Sequence, residues 1–207
     1  MIAFLENLLR SKAFVVTLLV LPGLWPAVPI VQQDASVLAD PGKYILHHLG
    51  FMACVVLAIV LTFTPLRVLF PSSKLAQALN RHRRLVGVTV LVYAALHLTM
   101  YVIYEGGFGT LMNDISKPFI LTGMIAFTLL LALAVTSFDA AIRAMGGKRW
   151  KNLHRLVYVI AGLAAYHQIA AEKIFPLQVV WIFGPVVILE ILRIRKRTAK
   201  KTEAIQA

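Results

Sequence analysis

The stretch His154-Arg-Leu-Val-Tyr-Val-Ile-Ala-Gly-Leu-Ala-Ala-Tyr-His167 places two histidines thirteen residues apart, with an almost wholly apolar segment between them. If the segment is one α-helix, a rise of ~1.5 Å per residue puts the two imidazoles ~20 Å apart along its axis. In a membrane whose hydrocarbon core is ~30 Å thick, one imidazole would then lie near each face. The stretch therefore predicts a membrane helix with an ionisable side chain towards each end.

The composition of the whole chain also indicates a membrane protein. Of its 207 residues, 59% are hydrophobic and 14% are charged, and the mean hydropathy is +0.79, values that do not fit a soluble globule. A net charge of +12 can indicate nucleic-acid binding, but here the basic residues border apolar runs and form no stripe. Cys54 is the single cysteine, which excludes a disulfide or a CxxC metal site within the chain. We expect one membrane domain, residues 1–207, and no nucleic-acid partner.

The apolar residues fall into six blocks separated by short polar links. The predicted spans are about residues 13–31, 47–66, 85–104, 119–138, 156–171 and 174–192. The fold class is therefore an all-α integral membrane protein, a bundle of six transmembrane helices. The first block begins like a signal peptide but runs longer than the usual apolar region, and its three prolines are expected to distort its outer half. Residues 193–207 form a basic tail.

The basic residues in the loops predict the orientation of the bundle. Eighteen of the 21 lysines and arginines lie on the side of the membrane that holds the N-terminus, and Lys43, Lys117 and Lys173 lie on the other. Positive loops face the cytoplasm, so we expect both termini to be cytoplasmic. His97 on the third span and His167 on the fifth then share a depth in the outer half, and His154 lies at the cytoplasmic edge.

Two histidines at matched depth on different helices favour metal binding. An intramembrane ionisable group is costly without a partner, and neutral imidazole suits iron. We interpret His97 and His167 as ligands of a haem between helices 3 and 5 of the bundle. The alternative is two neutral histidines that bond to backbone carbonyls or tyrosines. Zinc or copper fits less well, because no Cys, Asp or Glu stands nearby to complete the shell.

At the predicted cytoplasmic end of the bundle, the sequence leaves several possible ligand sets open. If His154 holds iron, span three offers His82, Arg83 or Arg84 at about its depth, and His82 is the better ligand type. Arg83 and Arg84 can instead anchor the helix in the positive-inside manner, or pair with haem propionates or a flavin phosphate. The spacing from His154 to His167 is not ideal for two ligands on one face of a helix, because thirteen residues leave the rings ~140° apart on a straight helix.

A set of short motifs gives the chain a family resemblance between about residues 40 and 195. They are Asp40-Pro41 leading to His47, Thr64-Pro65-Leu66, Arg83-Arg84-Leu85, Leu96-His97-Leu98, Pro118, Leu131-Ala-Leu-Ala, Thr136-Ser137, Trp150, Leu153-His154, Val157-Tyr158 and His167. The chain resembles the MsrQ (YedZ) family, the haem-binding membrane subunits of MsrPQ protein-methionine-sulfoxide reductase systems. That family belongs to the group of ferric-reductase-like transmembrane domains.

The resemblance implies b-type haem, one or two per chain, held by His97, His154 and His167. It implies electrons taken from the quinone pool or a cytoplasmic flavin reductase and passed to MsrP, a periplasmic molybdopterin enzyme that reduces methionine sulfoxide in oxidised proteins. FMN is also associated with the family, but no residue here indicates its site. His82 departs from the family pattern, which leaves the second ligand of an inner haem open. The chain would thus be an electron-transfer subunit in a bacterial inner membrane, with no catalytic residue of its own.

Two other functions remain compatible with the sequence. A haem-free transporter or assembly factor would use the same histidines for substrate or protons, and it would purify as a colourless protein. A ferric reductase or superoxide-producing oxidase would pass electrons directly to iron or oxygen, without a reductase partner.

Overall fold

The computed structural model describes residues 7–206, apart from the side chain of Ile205, and the described residues contain no β-strand. From residue 12 onward the elements follow one another in this order: α1 Lys12–Val20, a 3-10 helix Leu21–Leu24, α2 Ala27–Val31, α3 Ala35–Leu38, α4 Pro41–Leu69, α5 Lys74–Arg81, α6 Arg83–Tyr104, α7 Phe108–Asp114, α8 Pro118–Val135, α9 Asp139–Met145, α10 Gly147–Leu153, α11 Leu156–Ala171 and α12 Gln178–Gln206. The prediction of an all-α protein is confirmed.

Three of these helices are long and apolar enough to cross a membrane, namely α4, α6 and α8. The segment Lys12–Leu24 is apolar but shorter, and α11 has 16 residues, fewer than the ~20 of a usual span. Helix α12 is 29 residues long, and Glu190 and Arg193 lie within it. The chain is therefore a multi-pass membrane protein, while the count of six spans stays a prediction.

Large apolar side chains on the outside of the bundle fit this environment. Trp181 is 78% exposed and Ile188 is 60% exposed, and both lie on α12. Among the described residues, no charged or polar side chain is fully buried. A surface of this kind suits contact with lipid, because exposed apolar patches of such extent are unusual on soluble monomers.

Helix α4 lies at the centre of the bundle and contacts α6 and α12, while α11 packs against α8. The core at mid-height is made by Leu57 of α4, Val90 of α6 and Ile160 of α11, all nearly inaccessible to solvent. Close packing of this kind leaves few voids. This apolar layer lies between two cavities.

The first predicted span is interrupted rather than continuous. Helix α1 ends at Val20 and is followed by the 3-10 helix and by α2, because Pro22, Pro26 and Pro29 cannot donate backbone hydrogen bonds. The expected distortion of the outer half is confirmed. The carbonyls freed there find partners on the bundle: the Tyr93 hydroxyl donates to Leu19 O, and the His48 ring bonds to Pro22 O at 2.8 Å.

The last two predicted spans also differ from the structure at their ends. Helix α11 has the predicted bounds, but α12 begins at Gln178 rather than at residue 174 and continues through the basic tail to Gln206. Residues 172–177, which include Pro176, lie outside both helices. The tail predicted at 193–207 is therefore an extension of the last helix as far as the structure describes it.

Asp40 starts the central helix and ties it to α6. Its carboxylate accepts a hydrogen bond from the Lys43 backbone N–H at 3.0 Å and another from the Tyr104 hydroxyl at 2.7 Å. These two bonds, the Tyr104 bond first, lower the pKa of the Asp40 carboxyl below its usual value. Asp40 is thus both the N-cap of α4 and a link between two long helices.

We expect Asp40→Ala to lower the midpoint of thermal unfolding in detergent by roughly 2–4 °C, because it removes the cap. A carboxyl whose pKa is lowered by folding stabilises the protein above the unfolded pKa of ~3.9, and this contribution is lost as the pH falls through the lower folded pKa. The higher unfolding midpoint of the wild type relative to Asp40→Ala should therefore diminish below about pH 4. An equal difference in unfolding midpoint between the two proteins at pH 3 and pH 7 would contradict the stabilising role of the Asp40 carboxylate.

Candidate functional site

His97 and His167, which the sequence predicts at one depth, meet inside the bundle. His97 lies on α6 and His167 on α11. Their ring centres are 6.0 Å apart and the ring planes are 87° from each other. The two imidazoles therefore lie close together on separate helices, at a separation that two ligands of one metal can have.

Each imidazole is oriented by a backbone carbonyl of a third helix. The Nδ1 atom of His97 lies 2.9 Å from Leu46 O on α4, and Nδ1 of His167 lies 2.6 Å from Phe119 O on α8. An Nδ1–H that donates to a carbonyl places the lone pair on Nε2 and fixes the ring for ligation. Within residues 7–206 neither Nε2 atom has a hydrogen-bond partner.

The two rings face a cavity of about 640 Å³, within the size range of cofactor sites. Its walls are mostly apolar and come from α4, α6, α8 and α11. Ionisable groups also line it: His47 Nδ1 is 3.9 Å from a Glu172 carboxylate oxygen, and the Lys117 ammonium pairs with Asp114 at 2.8 Å. The cavity thus combines mostly apolar walls with a few ionisable groups.

These residues fit a bis-histidine haem. Two imidazoles that bind one iron from opposite sides place their ring centres roughly 6 Å apart, because each metal–nitrogen bond is about 2 Å and each ring centre lies about 1 Å behind its nitrogen. The observed separation is 6.0 Å. No group of three or more His, Cys, Asp or Glu that could hold a metal ion occurs in the described part of the chain, so a three- or four-ligand zinc or copper site has no support here.

A second cavity, of about 480 Å³, lies towards the other end of the same helices. After the predicted orientation, we call it the inner cavity and the cavity beside His97 and His167 the outer cavity. His154, Arg83 and Arg84 line it, so the structure brings these three predicted residues together. His82 does not line it, and the ring of His82 bonds instead to Leu9 O at 2.6 Å. The geometry therefore gives no support to His82 as the partner of His154.

His154 is held on two sides in this inner cavity. Its Nε2 lies 3.2 Å from the Thr136 hydroxyl, and its ring stacks on Trp150 with centres 4.1 Å apart. The Trp150 indole in turn donates to Thr136 O. Because arginine has no acceptor lone pair at neutral pH, Arg83 and Arg84 are unsuited as iron ligands, and the inner cavity offers one imidazole rather than two.

The structure corrects the expected path of the chain between His154 and His167. His154 is the C-cap of α10 and α11 begins at Leu156, so the two histidines do not share one straight helix. The ~140° offset calculated for such a helix does not apply. The helix is interrupted at His154 and Arg155, and the His154 ring lines the inner cavity.

The arginines of the inner cavity differ in their partners. The Arg84 guanidinium pairs with Asp139 at the start of α9, and the Arg83 guanidinium lies over the Trp150 ring at 5.7 Å from its centre. Among residues 7–206, no Asp or Glu lines this cavity. Its walls therefore present positive charge together with an aromatic face, which suits an anionic group.

Sequence reasoning missed the partners that orient the histidines. Leu46 and Phe119 act through their carbonyls, and a backbone acceptor leaves no signal in the side-chain sequence. Thr136 and Trp150 belong to the motifs of the family resemblance, but their position around His154 could not be read from spacing, since it depends on the break between α10 and α11.

Comparison with known proteins identifies a family and several relatives of this chain. The profile of the family described as "Ferric reductase like transmembrane component" matches residues 49–165, a range that contains His97 and His154. The "Protein-methionine-sulfoxide reductase heme-binding subunit MsrQ" of Brucella anthropi is 34% identical over 205 residues, which are 97% of this chain and 90% of that protein. The subunit of the same name from Salmonella arizonae is 38% identical over 180 residues, 85% and 87% of the two chains.

A further relative is covered less completely. The MsrQ subunit of Polaromonas naphthalenivorans is 46% identical over 132 residues, which are 62% of this chain and 58% of that protein. The family profile spans more than half of the chain, and the longer matches run along most of their relatives. The resemblance predicted from the sequence motifs is confirmed, and this chain belongs to the ferric-reductase-like transmembrane family and, within it, to the MsrQ group.

Proposed function

We propose that this chain is a haem b membrane subunit that carries electrons to a protein-methionine-sulfoxide reductase. Electrons would come from the quinone pool or a cytoplasmic flavin reductase and would reach a periplasmic molybdopterin reductase of the MsrP type. The names of the relatives support haem binding and membership of this reductase system. The observation that carries the proposal is the pair His97 and His167, 6.0 Å apart, with each Nδ1 on a backbone carbonyl.

The residues of the outer cavity hold the group in the proposed mechanism. His97 and His167 supply two neutral nitrogens, and Leu46 O and Phe119 O keep them in the ligating tautomer. Haem, when bound, supplies the one-electron redox chemistry. The apolar walls exclude water from the site, and the polar rim with Glu172 and Asp114 faces the side where a periplasmic partner would dock.

The inner cavity is the proposed entry side. Both cavities are lined by Leu57, Val90 and Leu130, so a single layer of side chains separates them. His154 can present one imidazole there, while Arg83 and Arg84 neutralise anionic substituents such as propionates or a flavin phosphate. We assign no catalytic residue to the chain, since the reduction of methionine sulfoxide belongs to the partner.

A reduced-minus-oxidised spectrum of the detergent-purified protein, with haem counted per chain, tests the proposal. We expect the low-spin spectrum of a b-type haem, and reduction by a quinol or by a reduced flavin. The reduced protein should be reoxidised faster when a periplasmic reductase and its sulfoxide substrate are added. A protein that stays colourless after haem is supplied during expression would favour a transporter or assembly factor. Fast reduction of oxygen or ferric iron without a partner would favour an oxidase or ferric reductase.

The proposed orientation predicts which loops are accessible from the periplasm. In a Cys54→Ser background, Ser116→Cys between α7 and α8 should react with a membrane-impermeant maleimide in intact cells. Ser72→Cys, between α4 and α5, should react after the cells are permeabilised. Both positions are exposed in the structure, and both changes replace one oxygen by sulfur, so each is a control for the other. The reverse labelling pattern would contradict cytoplasmic termini.

A further inference from the structure

Two glycines lie directly against the two facing histidines. A Cβ atom built on Gly50 of α4 would stand 2.9 Å from both Nδ1 and Cε1 of His97. A Cβ atom on Gly123 of α8 would stand 2.9 Å from Nδ1 and 3.0 Å from Cε1 of His167. These distances are shorter than ordinary Cβ contacts in proteins. Each imidazole therefore occupies space that any residue other than glycine would fill.

The two contacts repeat the same local geometry. His97 bonds to the carbonyl of Leu46, four residues before Gly50, and His167 bonds to the carbonyl of Phe119, four residues before Gly123. In a helix, residues four apart lie on the same face, one turn from each other. On each helix, a carbonyl and the glycine one turn later thus form one seat for the Nδ1–Cε1 edge of a ring.

We propose that Gly50 and Gly123 are positioning residues that set the orientation and tautomer of the two haem ligands. Without a side chain at these positions, each ring lies against the backbone of the neighbouring helix and reaches its carbonyl. The seat leaves Nε2 as the ligating atom and holds the two rings near the observed 87°. The inference rests on the proposed haem function, but the seats are a property of the protein chain itself.

The first test uses Gly50→Ala and Gly123→Ala, with Gly162→Ala as the matched control. Gly162 lies on α11 with His167, a Cβ atom added to it would meet no neighbouring group within 4 Å, and it lines neither cavity. We expect each seat variant to release haem about 10–100-fold more readily, as for other changes around metal-ligating histidines. Weaker Nδ1–H bonds also make the imidazoles poorer electron donors, so the reduction potential should rise, and the low-spin EPR spectrum should shift as the ring planes turn. Gly162→Ala should keep all three properties of the wild type.

The reduction potential and the EPR spectrum are properties of each bound haem, so a low yield of haem-loaded protein does not hide the effect. Seat variants with wild-type EPR, potential and haem retention would overturn the inference. So would variants that fail to accumulate even when haem synthesis is blocked, since the glycines would then serve helix packing rather than ring placement.

A haem-free measurement separates this inference from the proposed function. In protein labelled with ¹⁵N-histidine, NMR identifies which ring nitrogen carries the proton, and His97→Ala and His167→Ala variants assign the signals. We expect the Nδ1–H tautomer for both rings in the haem-free wild type and a mixture of tautomers in the corresponding glycine variant. Mixed tautomers in the wild type would contradict the positioning role of the two glycines. A colourless protein with the expected tautomers would contradict the haem function, but it would still support the positioning role of Gly50 and Gly123.

Discussion

In His97→Ala and His167→Ala variants, we expect the low-spin haem spectrum to disappear. Either change removes one of two imidazoles whose ring centres are 6.0 Å apart, so at most one of the two would remain to hold haem iron. Haem affinity should fall by more than roughly 100-fold, because even changes in groups that only orient a ligand cost about 10–100-fold. Haem per chain and the reduced-minus-oxidised spectrum measure the loss, and electron delivery to the reductase should fall with it.

His82→Ala is the matched control for these variants. It removes the same side chain from the start of α6, but His82 lines neither cavity and its ring bonds to Leu9 O. We expect it to retain the wild-type haem content. The cavity left in His167→Gly should also accept free imidazole, which should restore the low-spin spectrum. Full haem and full electron delivery in both alanine variants would remove the proposed ligand pair.

His154→Ala is expected to separate haem retention from electron delivery. The outer pair is untouched, so its low-spin spectrum should remain. His154 is the histidine that lines the inner cavity, where Thr136 and Trp150 hold its ring. Electron delivery from a quinol or reduced flavin should fall about tenfold or more, in the range found when a group around a redox metal is removed.

The haem count gives this second prediction a further readout. If the wild type binds two haems, His154→Ala should bind one; if it binds one, the count should not change while delivery falls. Thr136→Val removes the hydroxyl beside Nε2 and should lower delivery in the same direction by a smaller factor, whereas His82→Ala should not lower it. Wild-type delivery in His154→Ala would exclude the inner cavity from the electron path.

Much of the site follows from hydropathy and from the position of a few residues. The depth match of His97 and His167 follows from counting residues inwards from charged loops, and the two rings do meet. Arg83, Arg84 and His154 are likewise expected at one level, and they line one cavity. Such predictions hold because apolar helices that span a membrane run roughly along its normal. Distance along the sequence therefore converts into depth.

Other features could not be predicted because they depend on how helices turn and break. The interruption at His154 and Arg155 makes the calculated ring offset irrelevant. His82 has the right residue type and depth for an inner ligand, but its ring turns to Leu9 O. Rotation about a helix axis is decided by packing against neighbours, and the chain carries no direct record of it.

The sequence by itself determined an all-α membrane protein of the MsrQ group and predicted the depths of its histidines, because composition, charge placement and motif spacing are properties of the linear chain. The tertiary structure alone decided which histidines face each other, which carbonyls orient them, and that Gly50 and Gly123 make room for their rings. The two orienting hydrogen bonds join residues 51 and 48 positions apart in the chain. Such contacts arise where one helix meets another, and their acceptors are backbone atoms that every residue carries, so only the packed bundle specifies them.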